Sequence, residues 1–430
     1  MKTVGIIAEF NPFHTGHKYL IEQAKALTGA DTSVIIMSGD FVQRGAPGVC
    51  NKYLRTEMAL KGGADIVFEL PVIYSLGSAE SFAEGAVKLL LSTNSIDYLC
   101  FGSESGDTEA LIKCASIIEE YTATDKFKDD LSGYIKSGIS YPSAFSKALN
   151  DALGSLVSLL YTPNNLLGIE YIRALLRLKK QAESLASNKG TSLAGTVHFP
   201  EIVAVKRIGS DHFDETISDY SSATAIRDYL SSTPDFSALD ISGLSKTLSD
   251  STYSIIYENL GQKLPIVEDD LSSMLYMRLN TLSDEELLTV PDINPDLLNK
   301  LINFKGKKVS FPELIMNLKS KCFTYTAISR ALCRILLCPF YSKTYDMLNK
   351  ISESYVPYLR VLGFRKESSE YLRGLRYSED INIITKPADG PLDNPSYALD
   401  IYASNLYEQS CYNKYKTGFT EELKTGPVII

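Results

Sequence analysis

No stretch of this chain approaches the ~20 consecutive apolar residues of a membrane span. The apolar run within Met1 to Phe10 is broken at Glu9, too short and too polar for the core of a secretory leader. The seven cysteines, Cys50, Cys100, Cys114, Cys322, Cys333, Cys338 and Cys411, are odd in number and contain no CxxC pair. That spacing argues against a disulfide framework and against a tetrahedral zinc site. Cys333 and Cys338 stand closest, but their five-residue offset puts them on different faces of a helix, as expected of small packing residues. A net charge of -9 excludes the broad basic field of a nonspecific nucleic-acid binder, so any RNA must be held by local patches. Neither GxxxxGK[ST] nor GxGxxG occurs, which removes the P-loop and dinucleotide fingerprints. There is no internal repeat and no low-complexity tract. A cytoplasmic protein without a membrane partner is expected.

What is present is an ordinary globular composition, 44% apolar and 22% charged, over 430 residues, enough for two or three domains. The first hundred residues alternate short apolar runs with helical patterns, the signature of βαβ units and a parallel sheet. Strands are expected at 3–10, 32–37, 65–70, 97–101 and 201–207, with helices at 17–27, 52–61, 77–91 and 222–230. From 107 to 180 the pattern is helical, interrupted at Pro163-Asn164-Asn165, and 184–196 reads as a polar surface loop. A Ser, Asp and Pro-rich linker at 231–244 closes the first domain. The expected fold is α/β, with a Rossmann-like parallel-sheet nucleotide-binding domain at 1–232, a helical domain at 233–344 and a small mixed α/β region at 345–430. Ligands of such a sheet bind at the carboxyl ends of its strands.

The segment Ala8-Glu9-Phe10-Asn11-Pro12-Phe13-His14-Thr15-Gly16-His17 places two of the four histidines at a strand-to-helix turn. A helix start there favours phosphate, Gly16 allows close backbone approach, and imidazoles can donate to oxygens of an α-phosphate as pyrophosphate is displaced. Alternatively, the pair simply caps the helix. A second element, Ser221-Ser222-Ala223-Thr224-Ala225-Ile226-Arg227, opens the last helix of the same domain. Ser222 suits an N-cap, Thr224 offers a hydroxyl, and Arg227 has a donor fork for β- and γ-phosphates.

An HxGH turn followed by S-S/T-x-x-I-R resembles the paired ATP-binding motifs of the HIGH-type nucleotidyltransferase superfamily. Within it, AEFNPFHTGHKYLIEQAK, MSGDFVQRGAP (37–47), GADIVFELP (63–71), SAESFAEGAV (78–87), PNNLLGIEYIRAL (163–175), KRIGSDHFDE (206–215) and YLRVLGF (358–364) resemble the bacterial tRNA(Met) cytidine acetate ligases. The similarity spans most of the chain. It implies a ligase that joins acetate and ATP into acetyl-adenylate and then acetylates N4 of the wobble cytidine of elongator tRNA(Met), without acetyl-CoA. Asn51, where this family is expected to have an acidic residue, and a long 184–196 loop are departures.

The resemblance implies an ATP site made of Ile7, Ala8, Glu9, Phe10, Asn11, Pro12, Phe13, His14, Thr15, Gly16, His17, Lys18, Tyr19 and Leu20, with Gly102, Lys206, Arg207, Ser222, Thr224 and Arg227. Asn164 or Asn165 joins them, the choice being open. His14 and His17 are the expected catalytic pair. Asp40, in the turn Gly39 to Gly45, is a third candidate, either for the cytidine step or for a magnesium-bound phosphate; a salt bridge between Asp40 and Arg44 is the structural alternative. Mg²⁺ is expected to accompany ATP, with no dedicated metal site. For tRNA the candidates are Arg44, Lys321, Arg330 and Arg334, within basic patches at 305–308, 319–334 and 358–366. Two rivals remain: another adenylyltransferase of the superfamily, whose acceptor is a phosphate, and a noncatalytic RNA-binding protein that retains an ATP pocket.

Overall fold

The computed structural model describes all residues except 190–197, 209–221, 234–235, 237–238, 349–357 and 377–381. Its strands are β1 (Thr3–Ala8), β2 (Thr32–Ser38), β3 (Phe41–Val42), β4 (Ala46–Pro47), β5 (Ile66–Leu70), β6 (Tyr98–Ser103), β7 (Glu201–Lys206), β8 (Leu359–Phe364), β9 (Ile383–Ile384) and β10 (Val428–Ile429). β1, β2 and β5 are buried almost throughout, as strands covered by helices on both faces must be. One sheet runs in the order β10-β8-β5-β2-β1-β6-β7, with β9 also beside β8, while β3 and β4 form a separate hairpin. From β5 to β7 all pairs are parallel, with Ile6 opposite Ile35 on one side and Cys100 on the other. The chain winds outward from β1 through β2 to β5, then returns to β6 and β7. The reversal between β1 and β6 is the switch point where such sheets bind ligands.

The expected strands and the helices Lys52–Lys61 and Ala223–Leu230 lie where their periodicities place them, within a residue or two at most. Pro163-Asn164-Asn165 is not an interruption. It starts a 27-residue helix, Pro163–Lys189, because proline at a first helical position gives up only an N–H that would lack a partner anyway. That helix takes in the first part of the expected 184–196 loop, and 190–197 lie outside the described residues.

Among the described residues three large cores, with a small fourth of Tyr358, Ile384, Tyr397 and Ile401, carry the fold. One packs the helices Ala79–Ser92, Thr108–Thr122 and Pro163–Lys189 on one face of the sheet. A second packs Thr15–Thr28, Lys52–Lys61 and residues up to 264 on the other. The third is helical, from Ile266 to Tyr341, and includes the long C-terminal helix Pro395–Tyr415. The stretch beyond 345, expected as a separate region, contributes β8 to the main sheet, antiparallel to β5, with Ile66 opposite Phe364. YLRVLGF is therefore a sheet strand rather than a basic surface patch: Tyr358 and Arg360 are each 1% exposed.

Candidate active site

The carboxyl end of β1 opens into a cavity of about 440 Å³ at the switch point, a volume suited to a small-molecule ligand. The β1 turn supplies Glu9, Phe10, Asn11, His14 and His17; β6 supplies Phe101 and Gly102; the residues after β7 supply Arg207; and Ser222, Thr224 and Arg227 come from the start of the helix Ala223–Leu230. The two motifs, more than 200 residues apart, are thus brought to one cavity.

His14 is the N-cap of the helix Thr15–Thr28, its Nδ1 accepting the Gly16 N–H at 3.0 Å. Nδ1 of His17 accepts the His14 N–H at 3.3 Å. The rings stack with centroids 3.8 Å apart. The capping role and the ligand role are compatible: with both Nδ1 atoms accepting, the proton of each neutral ring sits on Nε2, leaving an N–H donor. Burial, with the Arg207 charge adding to it, depresses His14 to about 3. Burial, then His14 and Arg207, holds His17 well below its ordinary value. The pair can therefore offer neutral N–H donors rather than two cations.

The positive charge comes from arginines. Arg227 is oriented by the Asn11 carbonyl at 2.7 Å and the Thr224 hydroxyl at 2.9 Å. Arg207 donates to Asn164 Oδ1 at 3.3 Å. Arg44 lines the cavity from the tip of the β3–β4 hairpin. A Cβ on Gly102 would meet the Arg207 side chain at 3.5 Å, ordinary contact, so this glycine opens space without being obligatory. Glu104 accepts from Asn164 and from the backbone N–H groups of both asparagines. Those bonds outweigh its burial and hold its carboxyl below the usual range. The helix Pro163–Lys189 presses on β6 so closely that a Cβ at Gly168 would lie 2.2 Å from the Phe101 ring.

Other expected residues stand elsewhere. Asn165 is buried, accepting from Ser103 and Ser105 behind the cavity, so Asn164 is the asparagine at its wall. Lys206 ends β7 exposed and is not among the lining residues, because adjacent strand positions point to opposite faces. Phe13 is fully buried against Gly62, and Lys18 is exposed beside Glu22 at 3.8 Å. Pro12, Thr15, Gly16 and Tyr19 likewise belong to the turn and its helix without lining the cavity.

Asp40 is also not in the wall. Its Oδ1 accepts the Lys52 N–H at 2.8 Å and its Oδ2 lies 3.8 Å from Lys52 Nζ, so its partner is Lys52, not Arg44. Lys52 is fully buried and meets Glu69 and Glu422 at 2.7 Å each, and Arg360 joins the same two carboxylates. Of the four tRNA candidates only Arg44 reaches the cavity. Arg334 is buried, binding the Leu76 and Pro291 carbonyls and Asp292, which pins its helix to the end of the short helix Val72–Ser75. Arg330 is half-buried on the same helix and Lys321 is exposed. Asn51 caps the helix Lys52–Lys61 and donates to Glu408 at 3.0 Å.

Thr326, from the first turn of Tyr325–Leu337, lines the cavity without any sequence signal, whereas Gln43 belongs to the polar turn Gly39 to Gly45 that the sequence singles out. The hairpin carrying Gln43 and Arg44 is held by distant groups: the Gly45 carbonyl accepts from Ser329 at 2.6 Å and from Cys333 at 3.1 Å, and Gly48 O accepts from Tyr407 at 2.9 Å. Gly45 has φ +83, and a Cβ there would lie 2.3 Å from the Arg330 backbone nitrogen. Pro163, Leu167 and Tyr171 also line the cavity. Their i, i+4, i+8 spacing becomes readable once the helix is known to start at Pro163.

A model of the HIGH Nucleotidyl Transferase family matches residues 1–422. The chain belongs to this family. Among its relatives, the tRNA(Met) cytidine acetate ligase of Clostridium novyi is 36% identical, with all of both chains covered. That of Acetivibrio thermocellus is 32% identical over 96% of this chain and 95% of its own. The crystal structure of Thermotoga maritima TmcAL bound with alpha-thio ATP is similar along the full length of both chains, with TM-score 0.81 and 26% identity. The apo form of the same protein gives 0.83. As a family member the chain has its HxGH turn at the sheet's switch point, in the α/β arrangement expected of it. No helix among the described residues is long and apolar enough to cross a membrane.

Proposed function

We propose that this chain is a tRNA(Met) cytidine acetate ligase, acting in the cytoplasm. ATP and acetate form acetyl-adenylate and pyrophosphate, and the acetyl group then passes to N4 of the wobble cytidine of elongator tRNA(Met). The observation that carries the reading is the joining of the His14–His17 pair with Arg44, Arg207 and Arg227 around one cavity. The names of relatives matched over essentially the whole chain support it.

In the first step an acetate oxygen attacks the α-phosphorus and pyrophosphate leaves. Acetate is too small to supply much binding energy, so the rate depends on alignment and on donors placed where charge develops. The Nε2–H groups of His14 and His17 serve the α-phosphate, and Arg227 and Arg207 hold the outgoing phosphates. Gly102 and Asn164 meet the nucleoside. Among the described residues no group of three or more His, Cys, Asp or Glu side chains is placed to hold a metal. Mg²⁺ would therefore be carried by the phosphate oxygens of ATP, which it commonly binds together with water. The helical stretch 233–344, proposed as the principal tRNA-gripping part, meets the cavity through Thr326.

The test supplies purified protein with ATP, free acetate and unmodified tRNA(Met), omitting acetyl-CoA. Nucleoside analysis should find N4-acetylcytidine. Its absence, with ATP still consumed, would assign a different acceptor.

A further inference from the structure

The second step raises a requirement that the phosphate-binding groups do not meet. The exocyclic N4 of cytidine is a weak nucleophile. As its bond to the acetyl carbon forms, the bond from that carbon to the adenylate oxygen breaks, AMP leaves with the electron pair, and one N4 proton must go to a base. The histidines are poor candidates, since each Nδ1 already accepts a backbone N–H and burial keeps both rings neutral. Asp40 is committed to Lys52.

We propose that Glu9, the only carboxylate among the described residues lining the cavity, is the general base that accepts the N4 proton in acetyl transfer. The inference rests on the ligase reading and adds to it a residue for the second half-reaction. Glu9 lies at the carboxyl end of β1, between the histidine turn and the hairpin, and its Oε1 accepts the Gln43 N–H at 2.7 Å. That bond orients the carboxylate, and Oε2 makes no hydrogen bond within the described structure that would compete for a proton. Burial raises its affinity for a proton above that of an ordinary carboxyl group, against the Gln43 N–H and the charges of Arg44 and Arg55. Tyr171, from the helix Pro163–Lys189, is the other titratable group it influences; burial first and the Glu9 charge second keep that phenol protonated. A base of raised pKa suits a proton transfer near neutrality.

Supplying preformed acetyl-adenylate together with unmodified tRNA(Met) isolates the second step, and acetate-dependent ATP–pyrophosphate exchange reads the first. In Glu9→Gln, which keeps an acceptor for Gln43, transfer should fall about 100-fold or more, and by at least tenfold more than exchange. The wild-type transfer rate should rise with pH through a single ionisation that Glu9→Gln lacks. Glu9→Asp, with its carboxylate drawn back, should be slow but keep the ionisation. Equal losses in both steps, or a Glu9→Gln profile with the wild-type limb intact, would overturn the assignment while leaving the ligase reading in place. A wild-type protein that makes no acetylcytidine from acetyl-adenylate would instead overturn the ligase reading, and the base with it.

Discussion

Two groups of charged side chains sit at the carboxyl edge of the same sheet and differ in how their charges are matched. Around the cavity, Arg44, Arg207 and Arg227 share the wall with one carboxylate, Glu9. Toward β5 and β8, Lys52 and Arg360 are buried among Asp40, Glu69 and Glu422. The buried group pairs its two cations with three carboxylates of its own and joins segments distant in the chain. The cavity group has an excess of cation that a polyphosphate would balance. The same residue types therefore serve architecture where the charges close on themselves and recognition where they do not.

The largest expected effect is on the closed group. Lys52→Met leaves three buried carboxylates without their shared cation and should destabilise the fold by about 3–5 kcal/mol, read as a lower midpoint of urea unfolding. A midpoint unchanged within error would mean that the cluster holds nothing together. In the open group, His17→Ala should leave the urea midpoint near that of the wild type but slow acetyl-adenylate formation by about 10²–10³, the usual cost of one donor to developing charge. Exchange at a near-normal rate would remove the histidine pair from the chemistry.

A smaller effect separates the groups by pH. The unfolded imidazoles take up protons through pH 6.5, whereas burial holds His14 at about 3 in the fold. Stability from this residue is intact above 6.5 and is lost as the pH falls toward 3, on the order of 1–2 kcal/mol by pH 5. His14→Gln should flatten that slope between pH 7 and 5. The smallest effect is expected at Lys206, exposed at the end of β7: Lys206→Ala should change the KM for ATP less than about twofold, a difference that removing a direct phosphate contact would exceed.

Legibility from the sequence followed the range of the contacts. The β1 turn was readable because strand, turn and helix adjoin within residues 3–28, and Ser222 to Arg227 was readable as a capped helix start. The setting of Asp40 was not readable because its partner Lys52 is shared with Glu69 and Glu422, which lie a strand or most of the chain away. Arg360 lies in a segment that looked basic and aromatic, and only the pairing of β8 with β5 brings it to carboxylates. Thr326 carried no signal, since nothing near it in sequence marks the first turn of a core helix as a cavity wall. The choice between Asn164 and Asn165 turned on a helix starting at Pro163, which sends successive side chains about 100° apart.

The most direct test of the account is ATP–pyrophosphate exchange by the purified wild-type protein, with acetate present or withheld. Exchange that requires acetate is the predicted result, because acetate is the group attacking the α-phosphorus. Exchange that proceeds equally without acetate would contradict the account and point to another adenylyl acceptor in the cavity.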